Sequence, residues 1–193
     1  MMIMRLFDLL KDPTGFFENS REEGYKPAFR FMLEIALFLS IVTPVVNYLG
    51  IESTDFSSSF QAQILAYRIL KDILLPKYGI YAYFVGALLI LVFSLVILLF
   101  LTVFQHIVFR LMGGKGGILN AWKSSCYGVG PCVLGSFLPF ISLFAAFYSL
   151  IIQLYAGPKI LYVVKESRAI IYLAIIIALT FIEMFVRGTT VGF

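Results

Sequence analysis

From Tyr78 to Phe109 thirty-two consecutive residues carry no formal charge, and this run decides which solvent the chain folds in. Wound as a helix at 1.5 Å per residue, it extends about 48 Å, more than the roughly 30 Å hydrocarbon thickness of a bilayer. Such a helix crosses a membrane and projects from it at one end. The composition agrees: 61% of residues are hydrophobic and 13% charged, and the 20 Phe and 11 Tyr exceed what one soluble core of 193 residues buries. Lipid is the alternative sink for these side chains.

The net charge of +4 does not imply nucleic acid, because the basic residues nowhere cluster beyond two or three and no polar domain carries them. Membrane-flanking charge explains the excess. Cys126 and Cys132, six apart in an apolar run, match neither a redox pair nor a zinc-ligand spacing. They read as small hydrophobes. Asp8, Lys11 and Asp12 interrupt the opening MMIMRLFDLLKDPTGFF, so a cleaved signal peptide is not expected.

Intervals without charge mark the other crossings. Residues 35–51 are uncharged and, extended forward, give a first span over about 28–49. The second runs over about 79–111. Residues 124–158 are uncharged for thirty-five positions, too many for one crossing and enough for two short ones. Gly135 to Pro139 supplies the break, predicting a hairpin over about 119–137 and 140–156, its second arm ending at Gly157-Pro158. The last span covers about 169–186. The predicted fold class is therefore all-α: a polytopic membrane helical bundle of five transmembrane helices plus one interfacial amphipathic helix.

The charges test that count independently. Five crossings place Arg5, Lys11, Arg21, Lys26, Arg30, Arg110, Lys115, Lys123, Lys159, Lys165 and Arg168 on one side, and only Arg68, Lys71, Lys77 and Arg187 on the other. By the positive-inside rule the N-terminus is cytoplasmic and the C-terminus outside. Merging the hairpin into one span reduces the asymmetry from eleven against four to nine against six. Residues 1–27 form a short cytoplasmic or interfacial head with Asp12-Pro13 and Gly15 as turn or cap signals and an amphipathic start suited to the membrane surface; residues 28–193 form the membrane domain. Phe60 to Leu75 reads as the interfacial helix, since Arg68, Lys71 and Asp72 are costly at the midplane.

Gly113-Gly114-Lys115-Gly116-Gly117 invites comparison with a phosphate-binding loop. That motif needs Gly-x-x-x-x-Gly-Lys-Ser/Thr between a buried strand and a helix. Here Gly116 follows Lys115, the element upstream is a membrane helix, and the glycine spacing fails. The glycines instead end the second span and reverse the chain at the cytoplasmic face, with Lys115 beside lipid headgroups.

Asp12-Pro13-Thr14-Gly15-Phe16-Phe17 before the first span, Gly113 to Gly116 with Trp122 following, Tyr127-Gly128-Val129-Gly130-Pro131, and the break at Pro139 together resemble the Yip-domain family. These are integral membrane proteins named for interacting with Ypt/Rab small GTPases. The resemblance covers nearly the whole chain and rests on the order of the elements more than on any single motif. It implies a compact five-helix membrane domain, a cytoplasmic N-terminus and no enzymatic activity. Eukaryotic members work in vesicle trafficking between endoplasmic reticulum and Golgi and engage Rab GTPases and other family members. The short head, and the absence of an Asp-Leu-Tyr-Gly-Pro signature, make this chain more similar to the short prokaryotic members.

Ionisable groups inside spans are the first site candidates, because desolvation makes them costly. Glu34 and His106 are expected at similar depth near the cytoplasmic side. They suit a buried hydrogen-bonded pair able to relay protons or hold a cation; interfacial snorkelling or simple helix pairing is the structural alternative. Glu183 and Arg187, four apart, fit an ion pair near the outer interface. Tyr127, Gly128, Gly130 and Pro131 suit close helix packing with a local kink, or a polar notch for lipid or a partner helix. A single His assembles no catalytic triad. No catalysis, metal or cofactor is expected. The expected function is a non-catalytic scaffold acting through helix–helix and lipid contacts, in membrane organisation or trafficking. Its partners are membrane lipids and other membrane proteins, including itself, with a small GTPase as the partner of the eukaryotic members and no nucleic acid. The alternative is a small transporter, channel or lipid-moving protein using Glu34, His106 and the kinked third span.

Overall fold

Asp12 and Pro13 show how directly this sequence writes its local structure. The computed structural model describes residues 2–48, 69–137 and 141–190, and their side chains except those of residues 2, 43–48, 70, 71, 135–137, 142, 143 and 183–190. Helix α1 spans Met2–Lys11. Asp12 then leaves the helical region and caps α2 (Pro13–Ser20), its carboxylate accepting from the Gly15 amide at 3.0 Å with Pro13 in the first turn.

Helix α3 covers Tyr25–Tyr48. After a π turn at Ile69–Leu74 and the short α4 (Leu75–Tyr78), a 3-10 turn at Gly79–Tyr81 leads into α5, Ala82–Leu111. Then come α6 (Ile118–Gly128), α7 (Cys132–Phe137), α8 (Ser142–Ile151), a π turn at Ile152–Ala156, α9 (Gly157–Leu161) and α10 (Glu166–Thr190). All described elements are helical. Two helical stretches among them, Asp72–Leu111 and Phe144–Leu161, are long and apolar enough to cross a membrane.

The stretches expected as the first, second and last spans each fall mainly on one helix, α3, α5 and α10, and of these three the α5 stretch is the one among the two that are long and apolar enough to cross a membrane. The third does not run unbroken. It is cut into α6 and α7, because Pro131 has no amide hydrogen and the chain turns at Gly130, whose amide donates to the Tyr127 carbonyl at 3.0 Å. The fourth does not stop at Gly157-Pro158, as its proline suggests, but continues to Leu161. The π turn explains this: the Gly157 amide reaches back five residues to the Ile152 carbonyl. The widened turn shifts the bonding register just where the proline withholds its donor, so the ring is accommodated as the first turn of α9. Pro139 and most of the Phe60 to Leu75 segment lie outside the described residues; its last part, Ile69–Leu74, is the π turn.

By internal contacts the chain divides into two compact units, Met1–Ile35 with Leu95–Ile177, and Ala36–Ser94 with Ala178–Phe193. In the second, buried Leu74 and Ala82 pack with Leu75, Tyr83 and Val85, tying the π turn to the start of α5. In the first, α6 and the α8–α9 segment run antiparallel. Asn120 donates to the Leu161 carbonyl at 2.8 Å, Ser124 to the Gln153 carbonyl at 3.0 Å, and Ser149 to the Gly128 carbonyl. Helix α2 packs across α9 and the π turn before it. Seven of the eleven residues of α6 are buried, so protein, rather than solvent or lipid, surrounds most of this helix.

Candidate functional site

The first unit holds three polar constellations, all involving α6 or the loops at its ends. The innermost is a one-way chain of hydrogen bonds. Ser125 Oγ donates to Gln105 Oε1 at 3.0 Å, Gln105 Nε2 to Gln153 Oε1 at 2.8 Å, Gln153 Nε2 to Ser149 Oγ at 3.0 Å, and Ser149 Oγ to the Gly128 carbonyl. All four side chains are buried. Each bond in such a chain polarises the next, and each member would be costly to leave alone in a low-dielectric interior. The approach is close: a Cβ at Gly128 would fall on the Gln153 side chain, so only glycine lets α6 and the π turn meet here.

The second constellation fastens the head to α6. The guanidinium of Arg5 straddles the Glu23 carboxylate, at 2.9 Å and 3.1 Å, and also donates to Tyr127 Oη at 2.8 Å. Tyr127 Oη in turn donates to Glu23 Oε2 at 3.0 Å. The ring of Tyr127 is enclosed by Phe16, Phe17 and Phe31, with centroids at 4.7, 6.1 and 5.3 Å. One turn earlier Lys123, only 4% exposed, donates to the Ser20 and Arg21 carbonyls at 3.2 and 2.8 Å. Its ammonium sits where the carbonyls at the end of α2 present partial negative charge. Beside this clasp Arg5, Asp8, Lys11, Asp12, Asn19 and Glu23 contribute to an open cleft of about 440 Å³.

The third is the glycine loop. Gly113 takes φ +84°, a conformation that a side chain disfavours, and the loop wraps the buried Tyr162. Gly114 and Gly116 lie against its ring, the Lys115 amide donates to its carbonyl at 2.8 Å, and its hydroxyl donates to the Gly117 carbonyl at 2.8 Å. That leaves the phenol oxygen as acceptor for His106 Nδ1 at 2.5 Å, which fixes the hydrogen on Nδ1. Arg168 closes the loop from α10, donating to the Met112 carbonyl at 2.7 Å.

Among the sequence candidates, Tyr127, Gly128, Gly130 and Pro131 come together at the clasp and the break after α6, and Gly113 to Gly116 enclose Tyr162. Glu34 and His106 do not pair. Glu34 accepts from Arg30 at 2.9 Å, one turn back on the same helix, and His106 is engaged by Tyr162. The i,i+4 neighbour reaches the carboxylate without any tertiary arrangement and leaves no need for a distant partner. Pro139 and the side chains of Glu183 and Arg187 lie outside the described residues. Sequence reasoning missed Arg5, Glu23, Gln105, Lys123, Gln153 and Tyr162. Gln105 and Gln153 did carry a signal, each being an amide inside a long uncharged run, and Lys123 is a charge inside an expected span.

Amides and hydroxyls that satisfy one another, ammonium and guanidinium groups tied to the head, and long apolar helices beyond them are the features of an all-α integral membrane protein with a polar interior seam. Among the described residues no three His, Cys, Asp or Glu side chains converge as a metal site would require. The Yip1 domain matches residues 7–186, nearly the whole length, and the chain belongs to the Yip1 family. No curated protein and no solved structure matches it.

Proposed function

We propose that this protein is a non-catalytic membrane scaffold with five crossings, a cytoplasmic head at residues 1–27 and an external C-terminus, acting through contacts with lipids and other membrane proteins. The observation that carries the reading is the closed Ser125–Gln105–Gln153–Ser149 chain, whose hydrogen bonds end within the protein. A conduction path needs polar groups free to exchange partners with a passing solute, whereas groups bonded to one another across elements hold helices together. Helix lengths support the count. At 1.5 Å per residue α3, α5 and α10 extend about 36, 45 and 37 Å, each beyond the hydrocarbon thickness of roughly 30 Å, and the segments before and after residues 138–140 supply a shorter pair. Exposed apolar side chains along α5, among them Val96, Ile97, Phe100, Phe104 and Ile107, offer the surface for lipid or partner helices.

The test is reconstitution into liposomes with ion-flux and lipid-scrambling assays, alongside cross-linking in native membranes. The scaffold reading expects transport at the protein-free baseline and defined cross-linked species. Flux above that baseline, abolished by Gln105→Leu in protein that still folds, overturns it.

A further inference from the structure

Helix α1 is apolar on two sides. Its inner side is held firmly: Leu6 and Leu9 are buried over Gly130, Arg5 is bound to Glu23 and Tyr127, and the Leu10 carbonyl accepts from Tyr148 Oη at 2.7 Å. These contacts fix the roll of the helix. The outer side therefore presents Ile3, Met4 and Phe7, exposed by 74, 75 and 66%. At 3.6 residues per turn these three and the exposed Lys11 occupy one arc of about 100°, with Lys11 and Asp8 at its border, where both also line the cleft.

We propose that this outer face is a membrane-interface contact: Ile3, Met4 and Phe7 enter the boundary between acyl chains and headgroups of the bilayer that holds the rest of the chain, and Lys11 reaches lipid phosphate. Ten residues extend about 15 Å, too short to cross, so α1 lies along the interface. A lysine on the same arc as the apolar side chains suits this occupant, since its stem covers hydrocarbon while its ammonium meets phosphate. A second copy of the chain fits poorly. Three side chains fall far short of the roughly 800 Å² per partner of a stable protein interface, and the lysine would need a carboxylate opposite it. The bilayer, by contrast, is held at high effective concentration by the helices already in it. The inference requires that the chain is embedded in lipid with Gly130 and Tyr148, on which α1 rests, near a bilayer face and not at its midplane; it does not depend on the scaffold role.

The test uses the full chain in liposomes with Phe7→Trp as reporter in a Trp122→Phe background. The buried Trp122 Nε1 has no hydrogen-bond partner and its ring contacts Phe29, so phenylalanine there forfeits no bond. Ile3→Trp in the same background is a second reporter should the first fail to fold. An interfacial helix seated about 5–10 Å deep predicts loss of emission to bromines placed high on the acyl chains and little loss to aqueous iodide. It also predicts no dependence on protein density. Iodide quenching without bromine quenching overturns the proposal, as does shielding from both that fades on dilution in lipid, which would mark a second copy as the occupant. Resistance to alkaline carbonate extraction, measured on the same samples, separates failure of this contact from failure of membrane embedding itself.

Discussion

The side-chain amides of Gln105 and Gln153 meet at 2.8 Å with both residues buried, forty-eight positions apart in two stretches free of formal charge. Each uses the other to satisfy what neither lipid nor the surrounding hydrocarbon side chains can supply. Gln105→Leu is therefore expected to strip partners from Gln153 and Ser125 together, lowering stability by about 1–3 kcal/mol. Gln105→Leu/Gln153→Leu should cost less than the sum of the two single changes, and thermal unfolding of the purified variants in detergent reads the coupling.

Gly128 sets the spacing of the same seam. Gly128→Ala drives a methyl group into the Gln153 side chain and is expected to destabilise by about 1–3 kcal/mol through overpacking. Gln153→Ala empties the space that the methyl needs. The pair Gly128→Ala/Gln153→Ala should then differ little from Gln153→Ala alone in its unfolding midpoint.

The head clasp predicts a local effect. Glu23→Gln removes the charge that Arg5 grips, and Lys123→Met frees the Ser20 and Arg21 carbonyls; charge-assisted bonds of this kind contribute about 1.5–3 kcal/mol. Either change should speed trypsin cleavage at Lys11 and Arg21 severalfold in reconstituted protein while leaving cleavage after Arg168 unchanged. Equal acceleration at all three positions would mean global loosening and count against a separate clasp.

Acid should loosen α2 before the rest. The Gly15 amide, and then the Thr14 hydroxyl, hold the Asp12 carboxyl below its ordinary value of 3.8. A carboxyl depressed in the folded state contributes stability that is present in full above 3.8 and is lost as pH falls through the folded value. Amide exchange at Gly15 and Phe16 is expected to quicken over that range. Asp12→Asn, which still accepts at the cap, should abolish the acid dependence and keep the protection.

What could be read in advance, and what could not, divides along sequence distance. Asp12-Pro13 announced the start of α2, and Gly113 the end of α5, because a cap and a left-handed turn are settled by neighbouring residues. The long helices were legible because the absence of charge is itself a local pattern. The meeting of Arg5 and Glu23 with Tyr127 was not legible, because nothing local relates Tyr127 to residues more than a hundred positions earlier. Glu34 drew attention as a charge in a span, yet Arg30 had been within reach on its own helix. Pro158 gave a strong local signal to stop, and the π turn at Ile152–Ala156, which no propensity marks, overrode it.

Arg5 finds the Tyr127 hydroxyl 122 residues further along the chain, and that separation has a consequence for biogenesis. At translation rates of about 5–20 residues per second the ribosome needs roughly 6–24 s to travel between the two. For most of that interval the sequences of α1 and α2 are already made but have no berth, since Lys123, Tyr127 and Gly130 have not yet been made. Their docking is thus ordered by synthesis to follow completion of α3 and α5, which makes it a late step in assembly.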